Sequence, residues 1–189
     1  MAAMHAMPVA TVSAHEVVPG ITGIWSQALH PFFAVETVLV MLGLACTVGA
    51  QRGIATVGAS ALAAMAGSLI GLVAQSSLIA VPGLWRWPLV VALALGGLGA
   101  LHARLGLWGT IAVSLMAGAT LGVGLVPEGV GMSARWEAWG GCALASTGVL
   151  AVVALPAALI PRWSVGMALR ITGSWIVAIA TLGLALSLR

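Results

Sequence analysis

The chain has 189 residues, of which 61% are apolar and only 6% are charged, and its mean hydropathy is +1.16. A soluble domain carries about 25% charged residues and could not bury so much apolar surface, so this composition excludes a soluble globular fold and indicates a membrane protein. The seven cationic side chains are all arginines and form no cluster, which excludes a nucleic-acid-binding surface.

The first 30 residues are mixed in character and are interrupted by Pro8 and Pro19. They lack the basic segment and the apolar core of about 7–15 residues that define a signal peptide. We therefore expect residues 1–30 to form a retained extramembrane tail, ahead of a transmembrane domain over residues 31–189.

Charges and prolines divide the rest of the chain into six apolar segments, each near the roughly 20 residues that a helix needs to cross a bilayer. The sequence therefore predicts an all-α bundle of about six transmembrane helices, joined by short loops that make successive helices antiparallel. Tryptophans lie near most of the segment ends, where amphipathic rings sit at the headgroups. The predicted spans are residues 31–50, 54–72, 87–101, 107–126, 136–159 and 163–188, with 137 as an alternative start of the fifth.

The loop arginines indicate an orientation. With the N-terminus outside, three of them (Arg52, Arg104 and Arg162) lie on the inner side. The other two, Arg86 and Arg135, then lie on the outer side. Because inner loops carry more Lys and Arg, this count favours both termini outside, in what we expect to be a bacterial inner membrane.

Small residues are dense within the predicted spans. Gly67 and Gly71 form a GxxxG pair in the second span, and Gly118 and Gly122 form another in the fourth. Such pairs let helix backbones approach closely in a bilayer. They predict tight packing within the chain, with a homo-oligomer or a partner subunit of a larger membrane complex as the alternative.

Three other residues inside the spans have structural interpretations. Cys46 and Cys142 lie in apolar runs and form no metal-type pair, so buried thiols are expected, and a disulfide between them stays open. Pro156 lies near the end of the fifth span, where it predicts a kink or a helix end.

Imidazole and carboxylate groups cluster towards the N-terminus, at His5, His15, Glu16, His30 and Glu36. These groups suit divalent transition metals such as nickel or cobalt. An ionisable group inside a span is costly and points to function, so His30 and Glu36, with His15 and His5, are candidate metal ligands. The alternative is structural, with Glu36 reaching the interface or pairing with an arginine and His30 capping the helix.

Two further sets of side chains extend this hypothesis. Met4, His5 and Met7 offer thioether and imidazole ligands for Cu(I), which is a less favoured alternative to nickel or cobalt. Glu128 and Glu137 flank a predicted outer loop and could complete an acidic site facing the N-terminal histidines.

The last span contains two unusual residues. Arg170 lies about 10 Å into the span at 1.5 Å per residue, and its side chain either reaches the inner interface or faces the bundle interior to bind an acid or an anion. Trp175 lies in the middle of the same span, away from the interfaces. No hydrolase, kinase, zinc-protease or dinucleotide motif occurs, so no enzyme is predicted.

Two stretches resemble a known family. Residues 29–53, LHPFFAVETVLVMLGLACTVGAQRG, are similar to the first conserved span of the hydrogenase and urease accessory membrane proteins, the HupE/UreJ family. Members carry a His-Pro pair followed by an apolar helix that ends in a Gly-Gln-like turn. Residues 167–186, MALRITGSWIVAIATLGLAL, resemble the last span of that family, including Arg170, Gly173, Ser174 and Trp175.

This resemblance implies a six-span nickel or cobalt permease, or an accessory protein that supplies Ni(II). His30 would correspond to the histidine of the motif, which many members continue as H-P-x-x-G-x-D-H. Glu36 stands in the place of the acid, whereas Thr37 stands where those members have a second histidine.

Two functional hypotheses follow. The first is a membrane metal-ion permease or metal-handling accessory protein that acts through His30 and Glu36. The second is a non-catalytic accessory or structural subunit that packs against a larger membrane complex, which the missing second histidine, the short loops and the glycine-rich helix faces favour.

Overall fold

The structure, a computed structural model, describes residues 23–51, 53–78, 86–123, 132–160 and 163–188. Every regular element in these residues is helical, which confirms the predicted all-α class. A 3₁₀ turn (His30–Phe33) separates the first two helices, and a π-helical turn (Leu150–Ala154) separates the sixth and seventh. The helices are α1 (Gly23–Leu29), α2 (Val35–Gly49), α3 (Ile54–Leu78), α4 (Trp87–Ala100), α5 (Gly106–Val123), α6 (Met132–Val149), α7 (Leu155–Leu159) and α8 (Trp163–Ser187).

The apolar helices of the described part of the chain fit a membrane protein. Four segments are long and apolar enough to cross a bilayer: Ile54–Gln75, Gly106–Val123, Arg135–Leu159 and Trp163–Ser187. Gly23–Phe33 and Val35–Gly49 meet at an angle of 89°, and together they form a fifth candidate span if they are counted as one broken span. The helix α4 is apolar but shorter. The described residues thus form only helices, with four or five candidate spans, which is compatible with an integral membrane protein.

The helix α2 lies at the centre of the bundle. Every residue from Leu39 to Gly49 is buried except Leu42, which is half-buried. A helix that is apolar on all sides belongs in the core, where neighbours cover each face. Cys46 on α2 and Cys142 on α6 are both buried free thiols, so the expectation of structural thiols is confirmed and they form no disulfide.

The two GxxxG pairs meet in one seam between α3 and α5. A Cβ built on Gly67 would lie 2.1 Å from the carbonyl oxygen of Leu115, and one built on Gly71 would lie 2.1 Å from that of Ala119. A Cβ on Gly118 would lie 2.0 Å from the carbonyl oxygen of Ala64. The seam confirms the prediction of tight packing within the chain. Because the contacts advance together along both helices, α3 and α5 run parallel.

A second group of close contacts joins α2, α4 and α8. Cβ atoms built on Gly43 and Gly99 would meet the Cβ atoms of Leu95 and Cys46 at 2.9 Å, so α2 and α4 also run parallel. A Cβ built on Gly173 of α8 would lie 2.5 Å from the amide nitrogen of Ala100. Small residues therefore permit each of these approaches, as expected where lipid provides no hydrophobic drive.

The predicted disturbance around Pro156 takes the form of the π-helical turn. The amide of Leu155 donates to the carbonyl of Leu150, five residues back, and the helix resumes as α7 until Ile160 turns extended. Proline has no amide hydrogen, and its ring collides with the carbonyl four residues before it in a regular helix. A π turn directly before the proline accommodates that collision within one continuous segment.

Candidate functional site

The backbone is irregular where the first span breaks, and an ionisable residue lies on each side of this break. Pro31 lies at the start of the 3₁₀ turn, and Ala34 is extended, with φ −106° and ψ 115°. The Thr37 hydroxyl contacts the carbonyl oxygens of Pro31 and, at 2.7 Å, of Ala34. The predicted continuous helix from residue 31 is therefore wrong, because the chain turns through 89° before α2 begins.

The segment before the break is also ordered. The helix α1, which the sequence assigned to the tail, crosses α6 where a Cβ on Gly141 would lie 2.5 Å from Gln27. A Cβ on the preceding Gly140 would lie 3.1 Å from the side chain of Ile24. The two adjacent glycines let α1 lie directly on α6, which fixes the position of the 3₁₀ turn that follows.

His30 and Glu36 stand on either side of the bend. His30 opens the 3₁₀ turn, and Glu36 lies in the first turn of α2. Both are half-buried, and neither side chain makes a hydrogen bond or an ion pair with any residue that the structure describes. No side chain caps the N-terminus of α2, so the carboxylate of Glu36 also interacts favourably with the positive end of the helix dipole.

The other predicted ligands are not gathered around this pair. His5, His15, Glu16 and Glu128, and the Met4–Met7 stretch, lie outside the described residues. Glu137 is exposed on α6, one turn before the glycines on which α1 rests. Among residues of known placement, no three His, Cys, Asp or Glu side chains lie close enough to hold a metal ion together.

An apolar groove of about 950 Å³ opens beside the break. Leu29 and Phe32, which flank His30, form one wall, and the π-helical turn forms part of the opposite wall. The lining of the groove is mostly apolar, so its interior suits an apolar group. Its lining residues are Trp25, Ala28, Leu29, Phe32, Leu42, Leu144, Ala145, Gly148, Val149, Val152 and Val153.

The structure distinguishes the two alternatives for Arg170. Its side chain is exposed on the side of α8 that the rest of the chain does not cover, so the interpretation that it faces the bundle interior is wrong. Trp175 is 66% exposed on the same helix. Of the four residues that carry the resemblance in the last span, only Gly173 is buried.

One polar residue has a larger structural role than the sequence indicated. Gln51 donates from Nε2 to the carbonyls of Thr47 at 3.0 Å and Ala103 at 2.7 Å. Its Oε1 accepts from the amide of Leu105 at 2.9 Å. The side chain thus joins the end of α2 to the α4–α5 loop. A lone amide between an apolar run and a glycine-containing turn is the only sequence signal for it.

No family model, no curated protein and no solved structure matches this chain. Of the two stretches that carry the HupE/UreJ resemblance, the first forms the 3₁₀ turn and α2, and the second forms most of α8. The resemblance therefore stays a prediction made from those residues.

Proposed function

We propose that the chain handles a divalent transition-metal ion of the nickel or cobalt type in the membrane, as a permease or as an accessory protein. The ion is the cargo, and it contacts His30 and Glu36. The observation that carries this proposal is the broken first span, which holds an imidazole and a carboxylate on either side of an 89° bend.

Three properties of the bend support this role. Membrane transporters commonly bind ions where a helix is discontinuous, because free backbone groups and side chains meet there. Placing an ionisable side chain within a span costs free energy, so such residues usually mark a functional site. Imidazole and carboxylate are also suitable ligands for these metals. Two protein ligands hold a passing ion loosely, and water completes its coordination.

The directions of the helices support six spans. Because α3 and α5 run parallel, the chain returns between them along the height of the bundle, and α4 makes that return. Its 14 residues rise about 21 Å, and the 15 residues of α2 rise about 22 Å, so both are short for a core of about 30 Å. The proposed topology keeps both termini outside, in a bacterial inner membrane.

Cobalt binding to the purified full chain in detergent micelles tests the proposal. Visible absorption during a Co(II) titration reports binding and the type of ligands. We expect His30→Ala and Glu36→Gln each to weaken binding about tenfold or more, because each removes one ligand. The matched control is Glu137→Gln, which removes an exposed carboxylate from α6 and leaves binding unchanged.

Unchanged Co(II) binding by the double variant His30→Ala/Glu36→Gln would contradict the assignment of this pair. A spectrum identical to that of free aqueous cobalt, at all protein concentrations, would contradict metal handling as a whole. Thermal unfolding of each variant verifies that the bundle is intact.

A second candidate function has its own supporting observation. Only 22% of the residues in an apolar 18-residue stretch of α8 are buried within the chain, the lowest share among the four long candidate spans. A helix covered so little by its own chain suits a subunit that packs against a larger membrane complex. This candidate is non-catalytic, and lipid contacts surround the rest of the bundle.

A further inference from the structure

On the proposed topology, the groove beside the break lies at the depth of the lipid acyl chains. One of its walls is formed by residues of α6 and the π-helical turn, from Leu144 to Val153, within the candidate span Arg135–Leu159. At 1.5 Å per residue, Leu144 lies about 13 Å and Val153 about 27 Å along this span. Both ends of the wall therefore fall inside a hydrocarbon core of about 30 Å.

The two walls are stripes of apolar side chains that leave open space between them. On α1 and the 3₁₀ turn, Trp25, Leu29 and Phe32 recur at helical spacing and line the groove, and all three are exposed. On the opposite wall, a Cβ built on Gly148 would have nothing within 4 Å. The described side chains of the protein therefore do not fill the groove.

The lining determines the chemistry of the occupant. Among the lining residues that the structure describes, none is charged, and Trp25 is the one whose side chain carries a hydrogen-bonding group. An uncharged, apolar group complements such a surface, whereas a headgroup or a metal ion would lose its hydration there without gaining a partner. In the hydrocarbon core, the group that meets these conditions is the acyl chain of a phospholipid.

The size of the groove favours a flexible chain over a helix of another protein. A transmembrane helix is about 10–12 Å wide and about 30 Å long, which corresponds to a cylinder of roughly 2,000–3,000 Å³. The volume of the groove is about 950 Å³, which is too small for such a cylinder. If the groove were empty, its lining atoms would lose their van der Waals contacts, so an acyl chain that enters it gains contacts on both walls.

We propose that the groove between α1 and α6 binds an acyl chain of a membrane phospholipid, and that this chain holds the break of the first span in place. The acyl chain contacts Leu29 and Phe32, which flank His30, and joins the 3₁₀ turn to the π-helical turn across the groove. This site goes beyond metal handling, because it requires neither His30 nor Glu36 to bind an ion.

A photoactivatable phospholipid tests the site. The full chain is purified in detergent micelles, freed of lipid and titrated with phosphatidylcholine that carries a diazirine in the middle of one acyl chain. After irradiation, mass spectrometry of the peptides maps and counts the adducts. We expect adducts on residues 25–32 and 144–153 to saturate as lipid is added. Adducts on the exposed residues Ile179 and Leu182 of α8 should be fewer and should rise in proportion to the lipid.

Substitutions of open glycines identify the groove as the site. Gly148→Leu places a side chain in the groove and should raise the lipid concentration for half-saturation about tenfold, because the leucine and the acyl chain cannot occupy the same space. Gly58→Leu is the matched control, since this glycine is also exposed, helical and open but lies on α3 outside the groove. Leu144→Trp adds bulk at another exposed lining position and should weaken labelling in the same direction, which guards against misfolding of Gly148→Leu.

Hydrogen exchange tests the effect of the lipid on the break. Saturating lipid should slow the exchange of amides in residues 29–34 about threefold or more in the wild type and in Gly58→Leu, with no change in the α3–α5 seam. Unchanged exchange at saturation would overturn the claim that the acyl chain holds the break in place.

Groove labelling that does not saturate, or that is as strong in both groove variants as in the wild type, would overturn the lipid site. Crosslinking of groove residues to a second copy of the chain or to another polypeptide in native membranes, in place of lipid, would also overturn it. The lipid titration contains a chelator and no metal, so its failure is distinguishable from failure of Co(II) binding at His30 and Glu36.

Discussion

Single glycines decide how closely the helices of this bundle approach. At Gly67 the hydrogen atom occupies space that a methyl group would share with the backbone of α5. Gly58, on the same helix, has nothing within 4 Å of a built Cβ. Both glycines therefore lie in the same helix, but a methyl group would clash at Gly67 and would have free space at Gly58.

This difference predicts opposite effects of alanine. Gly67→Ala should lower the free energy of unfolding by about 1–3 kcal/mol, because backbone atoms of α5 cannot move aside cheaply. Gly58→Ala should leave it unchanged or raise it by up to about 1 kcal/mol through helix propensity. Denaturant unfolding in detergent micelles measures both. Equal effects at the two positions would contradict the seam.

Gln51 joins the C-terminal end of α2 to the α4–α5 loop. Gln51→Leu should destabilise the bundle by about 1–3 kcal/mol, because the Ala103 carbonyl and the Leu105 amide lose their partner. Thr181→Val is the control, since that exposed hydroxyl bonds only to its own helix. If Gln51→Leu lowers the free energy of unfolding no more than the control does, water replaces the hydrogen bonds of the Gln51 amide.

At the level of elements, the broken first span depends on local bonds. Thr37→Val keeps the shape of the side chain but removes the hydroxyl that contacts the Pro31 and Ala34 carbonyls. We expect faster hydrogen exchange in residues 23–34, with roughly 1 kcal/mol less protection, and no change in α3 or α5. Thr37→Ser should retain protection. Uniform loosening of all helices would contradict a local role.

Hydropathy predicted the long helices well and the broken span poorly. The spans that became α3, α5 and α8 are continuous apolar runs, and length alone identifies such helices. The bend at Ala34 was not predicted, because hydropathy reports how apolar a segment is and not the angle between consecutive helices. Pro31, the contacts of the Thr37 hydroxyl and the contact of α1 with Gly141 accompany the bend. The last of these is a tertiary contact that sequence spacing does not reveal.

The candidate site was predictable only in part. A His-Pro pair followed by an acid in an apolar run singled out His30 and Glu36, and the structure places both beside the bend. The direction of the Arg170 side chain was not predictable, because apolar residues lie on every side of α8 and its sequence does not tell the covered face from the uncovered one. The role of Gln51 depends on a loop 52 residues further along the chain.

At the scale of the whole molecule, the proposed six-span arrangement predicts that successive loops lie on alternating sides of the membrane. Single cysteines are introduced after Cys46 and Cys142 are replaced by alanine. Cysteines at Ile54, Leu101 and Ile160 should all react with an impermeant maleimide from one side of the membrane. If α4 does not cross, the cysteine at Leu101 will label from the side opposite to Ile54.

The same assay tests the first span and the orientation. Cysteines at Ser13, Ala80 and Val130 should label from the outside of intact cells, whereas that at Ile54 should label only after permeabilisation. If Ser13 and Ile54 label from the same side, α1 and α2 do not cross the membrane together but enter and leave it on one side. In that case the chain would not have its N-terminus and the α2–α3 loop on opposite sides.

The claim that His30 and Glu36 carry a metal ion across or into the membrane is tested most directly by uptake into proteoliposomes that contain only this chain. Radioactive nickel or cobalt is added outside, and the accumulated ion is counted over time. We predict uptake above that of empty liposomes, reduced about tenfold or more by His30→Ala or Glu36→Gln and unchanged by Glu137→Gln. Uptake no greater than that of empty liposomes, or equal uptake by the wild type and His30→Ala, would contradict it.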